Sequence, residues 1–221
     1  LFIIRNKEYD LIFATSSRLA TAFLGTIISK LKRIPILTDI RDIFYESISQ
    51  VKMGGTIKLL LPFISMMEKF TVNSSTKINL VSEGFFDYFM HKYENKNNYV
   101  YYPNGIDRIF IDNPAFRNNE NYIDKKDTLL DVLYAGNIGD GQGLDCIIPF
   151  LANHFKYKLR FTIIGSGAKL WKLKKSIHNN KCNNVKILNP LPRNELIKHY
   201  QKADILFLHL NNLSAFNRVL P

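Results

Sequence analysis

Leu129-Leu-Asp-Val-Leu-Tyr-Ala-Gly136-Asn-Ile-Gly139-Asp-Gly141-Gln-Gly143-Leu-Asp145 carries an apolar strand straight into a glycine-dense turn and then into a helix. Such a junction is where an α/β protein takes up phosphate. Glycines let the backbone approach the ligand, and the free N–H groups and dipole of the helix start favour negative charge. The arrangement recurs at Leu159-Arg-Phe-Thr-Ile-Ile-Gly165-Ser-Gly167. Two such turns on neighbouring parallel strands could address one diphosphate from two sides. Neither is a clean G-x-G-x-x-G followed by an acidic residue about twenty positions on, and glycine also ends strands for structural reasons alone. Phosphate binding and simple loop shortening therefore both stand for each turn.

Outward from this pair, short apolar runs alternate with helical periods, the signature of parallel sheets with crossover helices. Strands are expected at Leu11–Ala14, Pro35–Ile40, Lys77–Val81, Tyr99–Tyr102, Asp131–Ala135, Arg160–Ile164, Val185–Leu188 and Ile205–Leu208. Helical spacing marks Arg18–Lys32, Thr56–Phe70 with a kink at Pro62, Ala168–His178 and Arg193–Lys202. The stretch Arg108–Lys126 keeps no period and contains Pro114 with several asparagines, so it reads as a connection between two α/β units. The expected organisation is an N-terminal unit over 1–112, a linker over 113–127 and a C-terminal unit over 128–221. In open α/β sheets ligands bind beyond the carboxyl ends of the strands, which selects Asp39–Asp42, Ser82 and Glu83, Pro103–Asp107, Gly136–Gln142, Gly165–Lys169 and Asn189–Pro192.

Composition narrows the function classes. The 221 residues can bury a sizeable core. The chain starts at Leu1 and stops at Pro221 just after an apolar strand, so it reads as an internal piece of a longer protein. Its longest uncharged apolar stretches, Leu19–Ser29 and Leu59–Met67, fall short of the roughly 18 to 20 residues that span a bilayer. Cys146 and Cys182 show no paired spacing and the five histidines are scattered, which suits a reducing compartment and predicts no bound metal. The net charge of +11 is uneven: residues 1–112 hold 14 basic and 11 acidic side chains, residues 113–221 hold 16 and 8. Between Lys156 and Lys202 twelve Lys/Arg face one acid, Glu195. That excess is either a solvated lysine-rich surface or a surface for polyanions, anionic headgroups or acidic ligands. Nucleic acid is disfavoured as partner because no reader motif accompanies the lysines.

Eight segments in collinear order resemble family-4 glycosyltransferases of the GT-B fold, most of all the bacterial members that build O-antigen and capsular polysaccharides. They are Asp10-Leu-Ile-Phe-Ala-Thr-Ser16-Ser17, Ile34-Pro-Ile-Leu-Thr-Asp-Ile-Arg41-Asp42-Ile-Phe-Tyr-Glu46-Ser47, Val81-Ser-Glu83-Gly84-Phe and Tyr102-Pro-Asn104-Gly105-Ile-Asp107. The others are Leu133-Tyr-Ala-Gly136-Asn137-Ile-Gly139, Gln142-Gly143-Leu-Asp145, Ile164-Gly165-Ser-Gly167 and Lys202-Ala-Asp204-Ile. The resemblance covers nearly the whole chain. It implies two Rossmann-like domains facing across a cleft, both incomplete here, the first for acceptor and the second for the nucleotide-sugar donor.

On that resemblance Gly136, Asn137, Gly139, Gln142, Gly165, Gly167, Lys169 and Leu191 are donor-side residues, with Asn189–Leu191 bordering the nucleobase. Many relatives carry Arg and Lys where Asn137 and Gln142 stand, so charge neutralisation would fall to backbone N–H groups, the helix dipole and Lys169. Arg41 and Asp42 fall where relatives often have a His-Asp pair; Asp42 would take a proton from an acceptor hydroxyl and Arg41 would stabilise phosphate charge. The plainer reading makes the two a surface ion pair. Ser16, Glu83 and Asn104 lie on the acceptor side, or Glu83 and Asn104 merely cap a helix or turn. Asn217 or Arg218 falls near the place of an acidic residue in relatives.

The implied activity is a metal-independent, retaining transfer of a sugar from a nucleoside diphosphate to a cell-envelope glycan or polyprenyl-linked acceptor, in the cytoplasm at the inner membrane face. This piece alone is not expected to complete a turnover. The Leu59, Leu60, Phe63, Ile64, Met67 helix or the Phe85, Phe86, Phe89 set would touch lipid, or else pack on a sheet. Two other classes remain: a GT-B nucleotide-sugar epimerase, and a basic polyanion-binding module.

Overall fold

Each of the eight expected strands forms: Ile12–Ser16 (β1), Ile36–Ile40 (β2), Lys77–Leu80 (β3), Tyr99–Val100 (β4), Leu130–Ala135 (β5), Leu159–Ile164 (β6), Val185–Leu188 (β7) and Ile205–Leu206 (β8). The computed structural model describes residues 9–16, 18–43, 45, 58–93, 98–112, 129–212, 216 and 218. They fall into two units, 1–105 with 212–221 and 106–211. All pairings are parallel, in the order β1-β2-β3-β4 in the first unit and β7-β6-β5-β8 in the second. The α/β fold class with two parallel-sheet units is thus as expected.

In the first unit the crossovers are helices Leu19–Lys32 (α1), Leu61–Ser74 (α2) and Gly84–Lys92 (α3). α1 buries Leu19, Ala22, Thr26 and Ser29 at helical spacing. Pro62 does not kink a helix. It lies in the first turn of α2, where its missing N–H has no intrahelical partner to lose, and a short 3-10 turn at Lys58–Leu60 precedes it. Phe85 and Phe89 of α3 are wholly buried with Ile40, Ile78, Leu80 and Val72, and Phe86 packs against that cluster. Full burial of one such ring is worth roughly 2–3 kcal/mol, so of the two readings the three phenylalanines take core packing and not lipid contact. The α2 stripe divides instead: Ile64 and Met67 pack on the core, whereas Leu59, Leu60, Phe63 and Met66 are exposed.

In the second unit Arg108–Ile111 (α4), Leu144–His154 (α5), Leu170–Asn179 (α6) and Arg193–Lys202 (α7) alternate with the strands. Val132, Tyr134, Phe161 and Ile163 meet Leu144, Ile148 and Leu173 in a second, separate core. The chain steps from β5 to β6 to β7 and then returns to lay β8 on the far side of β5. That reversal leaves β5 central in the sheet, between β6 and β8.

Both seams differ from the expected boundaries. Residues 106–112 group with the second unit because Phe110 stacks edge-on against Tyr200 and Arg193 Nη1 lies 2.7 Å from an Asp107 carboxylate oxygen. Residues 212–221 group with the first unit, where Ser82 Oγ donates to the Arg218 carbonyl at 2.6 Å. The expected linker 113–127, like Ser17, Glu46, Ser47 and Asn217, lies outside the described residues. Among the described residues no helix is long and apolar enough to cross a membrane.

Candidate functional site

Two glycine turns at the carboxyl ends of β5 and β6 are joined through their backbones. Gly136 N–H donates to Ile164 C=O at 2.9 Å, Ile138 N–H to Ser166 C=O at 2.8 Å, and Lys169 N–H to Ile138 C=O at 2.9 Å. This zipper is tight enough to require glycine. A Cβ on Gly165, at φ +154°, would stand 1.9 Å from the Gly136 carbonyl oxygen, and one on Gly167, at φ +155°, would stand 2.4 Å from that of Ile138. Gly143 starts α5 at φ +56°, the left-handed region that other residues avoid.

The joined turns wall a cavity of about 340 Å³ at the tips of β5, β6 and β7. Gly136, Asn137, Gly165 and Ser166 form its polar side, and Pro190, Leu191 and Leu196 its apolar side. Four of the eight donor-side residues named from sequence, Gly136, Asn137, Gly165 and Leu191, therefore line one pocket. The pairing of a glycine-rich polar wall with a flat apolar wall suits a ligand that is anionic at one end and planar at the other.

The remaining four serve the turn itself. Gln142 Oε1 accepts from Gly139 N–H at 3.1 Å and from Asn137 Nδ2 at 3.3 Å, so both amide side chains brace the loop and the Gly139 donor is already engaged. Lys169 Nζ sits 2.8 Å from an Asp140 carboxylate oxygen. An anion must displace a solvent-exposed carboxylate to reach it, a small cost for a surface pair. Gly167 carries the contact with Ile138. Two residues that sequence reasoning missed fix the loop from β8: His209 Nδ1 hydrogen-bonds the Gln142 carbonyl at 2.7 Å, and Asn211 N–H donates to the Gly141 carbonyl at 2.7 Å. Their bonds close over more than sixty residues of chain, and no local pattern signals that. At the helix starts, Lys172 of α6 pairs with buried Asp145 of α5 at 2.8 Å. Burial would raise that carboxyl's pKa, but the Lys172 bond and charge outweigh it and hold the pKa below the usual range.

In the first unit the carboxyl edge of the sheet holds a buried carboxylate. Asp39 accepts from Asn79 Nδ2 at 2.7 Å, Thr15 Oγ1 at 2.8 Å and Arg41 Nε at 3.1 Å. Asn79 also donates to the Tyr102 carbonyl and accepts from Tyr102 N–H, pinning the loop after β4. Burial alone would raise the Asp39 pKa, yet the three donors hold it below the ordinary value. Arg41 thus pairs with Asp39, so the plainer alternative of a surface ion pair holds for Arg41, with a residue of its own strand end as partner. Asp42 is half-buried, and that burial raises its pKa while the Arg41 charge offsets part of the rise. Glu83 is exposed at the α3 N-terminus without a side-chain capping bond. Asn104 is exposed in the loop after β4, and the Ser16 side chain lies outside the described residues.

Asp39→Asn is expected to cost about 1–2 kcal/mol at neutral pH, through loss of one acceptor and of the charge facing Arg41. The sign with pH follows from the depressed pKa: the stabilisation is complete above the unfolded value near ~3.9 and fades as pH falls through the lower folded value. Urea melts of parent and variant should therefore converge in acid. A gap that persists unchanged at the lowest pH would refute the assignment.

Among the described residues no group of three or more His, Cys, Asp or Glu is placed to hold a metal ion. Residues 116–216 match the family model described as glycosyl transferases group 1, a little under half of the chain and almost all of it in the second unit. No curated protein matches the sequence. Among solved structures, HepE from Anabaena in complex with UDP-glucose superposes with a TM-score of 0.65 at 16% identity, over 93% of this chain and 54% of that one. Sucrose-phosphate synthase from Thermosynechococcus elongatus gives 0.65 at 14% identity, over 90% of this chain and 49% of that one. WaaG, a glycosyltransferase involved in lipopolysaccharide biosynthesis, gives 0.60 at 18%, over 79% of this chain and 50% of that one. At these identities the likeness establishes the fold, which is that of GT-B glycosyltransferases. The chain spans about half the length of these solved structures.

Proposed function

We propose that this chain is part of a GT-B glycosyltransferase of family 4, of the O-antigen or capsule type, which moves a hexosyl group with retention from a nucleoside diphosphate sugar to a glycan or polyprenyl-linked acceptor. The pocket walled by Gly136, Asn137, Gly165, Pro190, Leu191 and Leu196 carries the reading. It offers an apolar slot for a base beside two glycine turns that open helices. The group 1 family match over 116–216 and the UDP-glucose bound by HepE support it.

In the proposed reaction the bond from the sugar C1 to the diphosphate oxygen breaks, and its electron pair leaves with the diphosphate. A bond from C1 to the acceptor oxygen forms on the same face, and the acceptor proton is released. The second unit binds the donor, with the starts of α5 and α6 facing the leaving charge. The first unit takes the acceptor, and Asp42, its pKa raised by burial, receives the proton. No metal is required. The exposed row Leu59, Leu60, Phe63 and Met66 supports an acceptor held at the inner face of the cytoplasmic membrane.

Calorimetry of this chain against uridine, guanosine and adenosine diphosphate sugars, with the free diphosphates and a duplex DNA at two salt concentrations, tests the donor half. Saturable binding of one nucleotide class is expected, and Leu191→Asp should weaken it about tenfold or more by placing a charge in the apolar slot. Equal binding of every polyanion, lost with salt, would refute the pocket reading.

A further inference from the structure

Helix α6 reads Leu170-Trp-Lys-Leu-Lys-Lys-Ser-Ile-His-Asn179. Leu170, Leu173 and Ile177 turn inward to the second core. Trp171, Lys174, Lys175 and His178, spaced i, i+3, i+4 and i+7, share an exposed flank beside that buried stripe. Trp171 is 63% exposed although nothing in the donor pocket needs it. Past the helix, Lys181 adopts a left-handed φ of 50°, a conformation uncommon for a lysine. Its turn closes an open groove of about 530 Å³ against edge strand β7, with Lys174, His178 and Lys181 at the rim and Ile177, Val185 and Ile187 as an apolar floor.

What sets this face apart from the rest of the basic surface is its exposed tryptophan, not its charge alone. Of the twelve basic side chains between Lys156 and Lys202, Arg160, Lys169, Lys172 and Arg193 are held in ion pairs. The other eight carry none among the described residues, and of these Lys174, Lys175 and Lys181 lie beside Trp171 and its helix while Lys156, Lys158, Lys186, Lys198 and Lys202 lie elsewhere in the unit. The sequence reading left this excess as either solvated surface or polyanion site. An exposed tryptophan one helical turn before Lys174, which stands at the rim of a groove with an apolar floor, is the chemistry of a membrane interface, where the indole sits at headgroup level and lysines meet anionic lipid.

We infer that the outer face of α6, from Trp171 to the Lys181 turn, docks on an anionic lipid bilayer. The inference rests on the membrane part of the proposed function and not on the sugar transfer. Trp171 is the only tryptophan of the chain, so its emission reports this face and no other. The whole chain is mixed at low salt with vesicles of phosphatidylcholine alone or with phosphatidylglycerol added. Co-sedimentation and a blue shift of the emission are expected only with the anionic vesicles. Each lysine near a charged surface contributes about fivefold, so the combined Lys174→Gln, Lys175→Gln and Lys181→Gln variant should bind on the order of a hundredfold more weakly. Its nucleotide binding should be unchanged, because none of the three lines the donor pocket.

Vesicle binding without a blue shift, or equal binding by the triple variant, would overturn the inference while leaving membrane association to another face such as the α2 row. Absence of any co-sedimentation at low salt would remove both. Displacement of the protein from vesicles by a single-stranded oligonucleotide at lower concentration than the lipid would assign the face to polynucleotide and overturn the inference as well.

Discussion

Gly165→Ala is expected to abolish saturable nucleotide binding and to lower the stability of the chain by about 3 kcal/mol or more. The new Cβ would lie 1.9 Å from the Gly136 carbonyl oxygen, and that neighbour is backbone, with no rotamer to yield. Relief requires the two turns to separate, which breaks the Gly136–Ile164 and Ile138–Ser166 bonds and opens the wall of the pocket. The φ of +154° at this position adds its own strain for any L side chain. Gly105→Ala is the control, since a Cβ there meets nothing within 4 Å, and it should be nearly silent. Denaturant midpoints and calorimetric titration with a nucleoside diphosphate test the pair. A Gly165→Ala protein with the parent's midpoint and affinity would show that the turns are not rigidly coupled.

Glu68→Ala is expected to destabilise the first unit by about 3–5 kcal/mol, the usual cost of stripping the partner from buried donors that include a charge. The Glu68 carboxylate is almost fully buried on α2. It accepts from Tyr93 Oη at 2.6 Å, Tyr88 Oη at 2.7 Å, Lys92 Nζ at 3.1 Å and Tyr45 N–H at 3.2 Å. The Lys92 ammonium also stands 4.0 Å from the centre of the Tyr45 ring, a cation–π contact that helps hold it. Glu68→Gln retains one acceptor oxygen and should cost about half as much.

An alkaline signature accompanies it. Burial, then the Glu68 charge, raise the Tyr99 pKa to about 12. A phenol with a raised folded-state pKa contributes stability that is full below the unfolded value near ~10 and is lost as pH rises through the folded one. In Glu68→Gln, ultraviolet titration should therefore show a tyrosine ionising at lower pH than in the parent. An unchanged tyrosine titration would place the cause elsewhere.

The strands were legible because each is a short, largely apolar run bounded by polar turns, a pattern that survives without tertiary information. Ends were read less well. β8 stops at Leu206 where the apolar run continues to Leu208, since Phe207 N–H donates to the Leu133 carbonyl but the ladder goes no further. Pro149 sits inside α5 against the ordinary rule, buried among its neighbours. In the candidate site the glycines were readable because close approach leaves a compositional trace. Asn79, Glu68 and His209 were not: their partners lie from 20 to 67 residues away, and Asp39, though selected at its strand end, takes two of its three donors from Thr15 and Asn79 on other strands. Asn137 and Gln142 fell in the right loop, but that they brace it was not legible, since their partners are each other and the intervening turn.

The first unit is discontinuous along the chain. Ser82 and Gly84 close against Arg218 across 136 residues, and the whole second unit lies between. Synthesis proceeds from the N-terminus at a few residues each second, so residues 106–211 are complete before Arg218 has been made. All residues of the second unit are thus synthesised before the segment that seals the α3 entrance of the first. A chain cut off between 211 and 218 would hold every residue of the second unit but lack the Arg218 contact on the α3 entrance of the first.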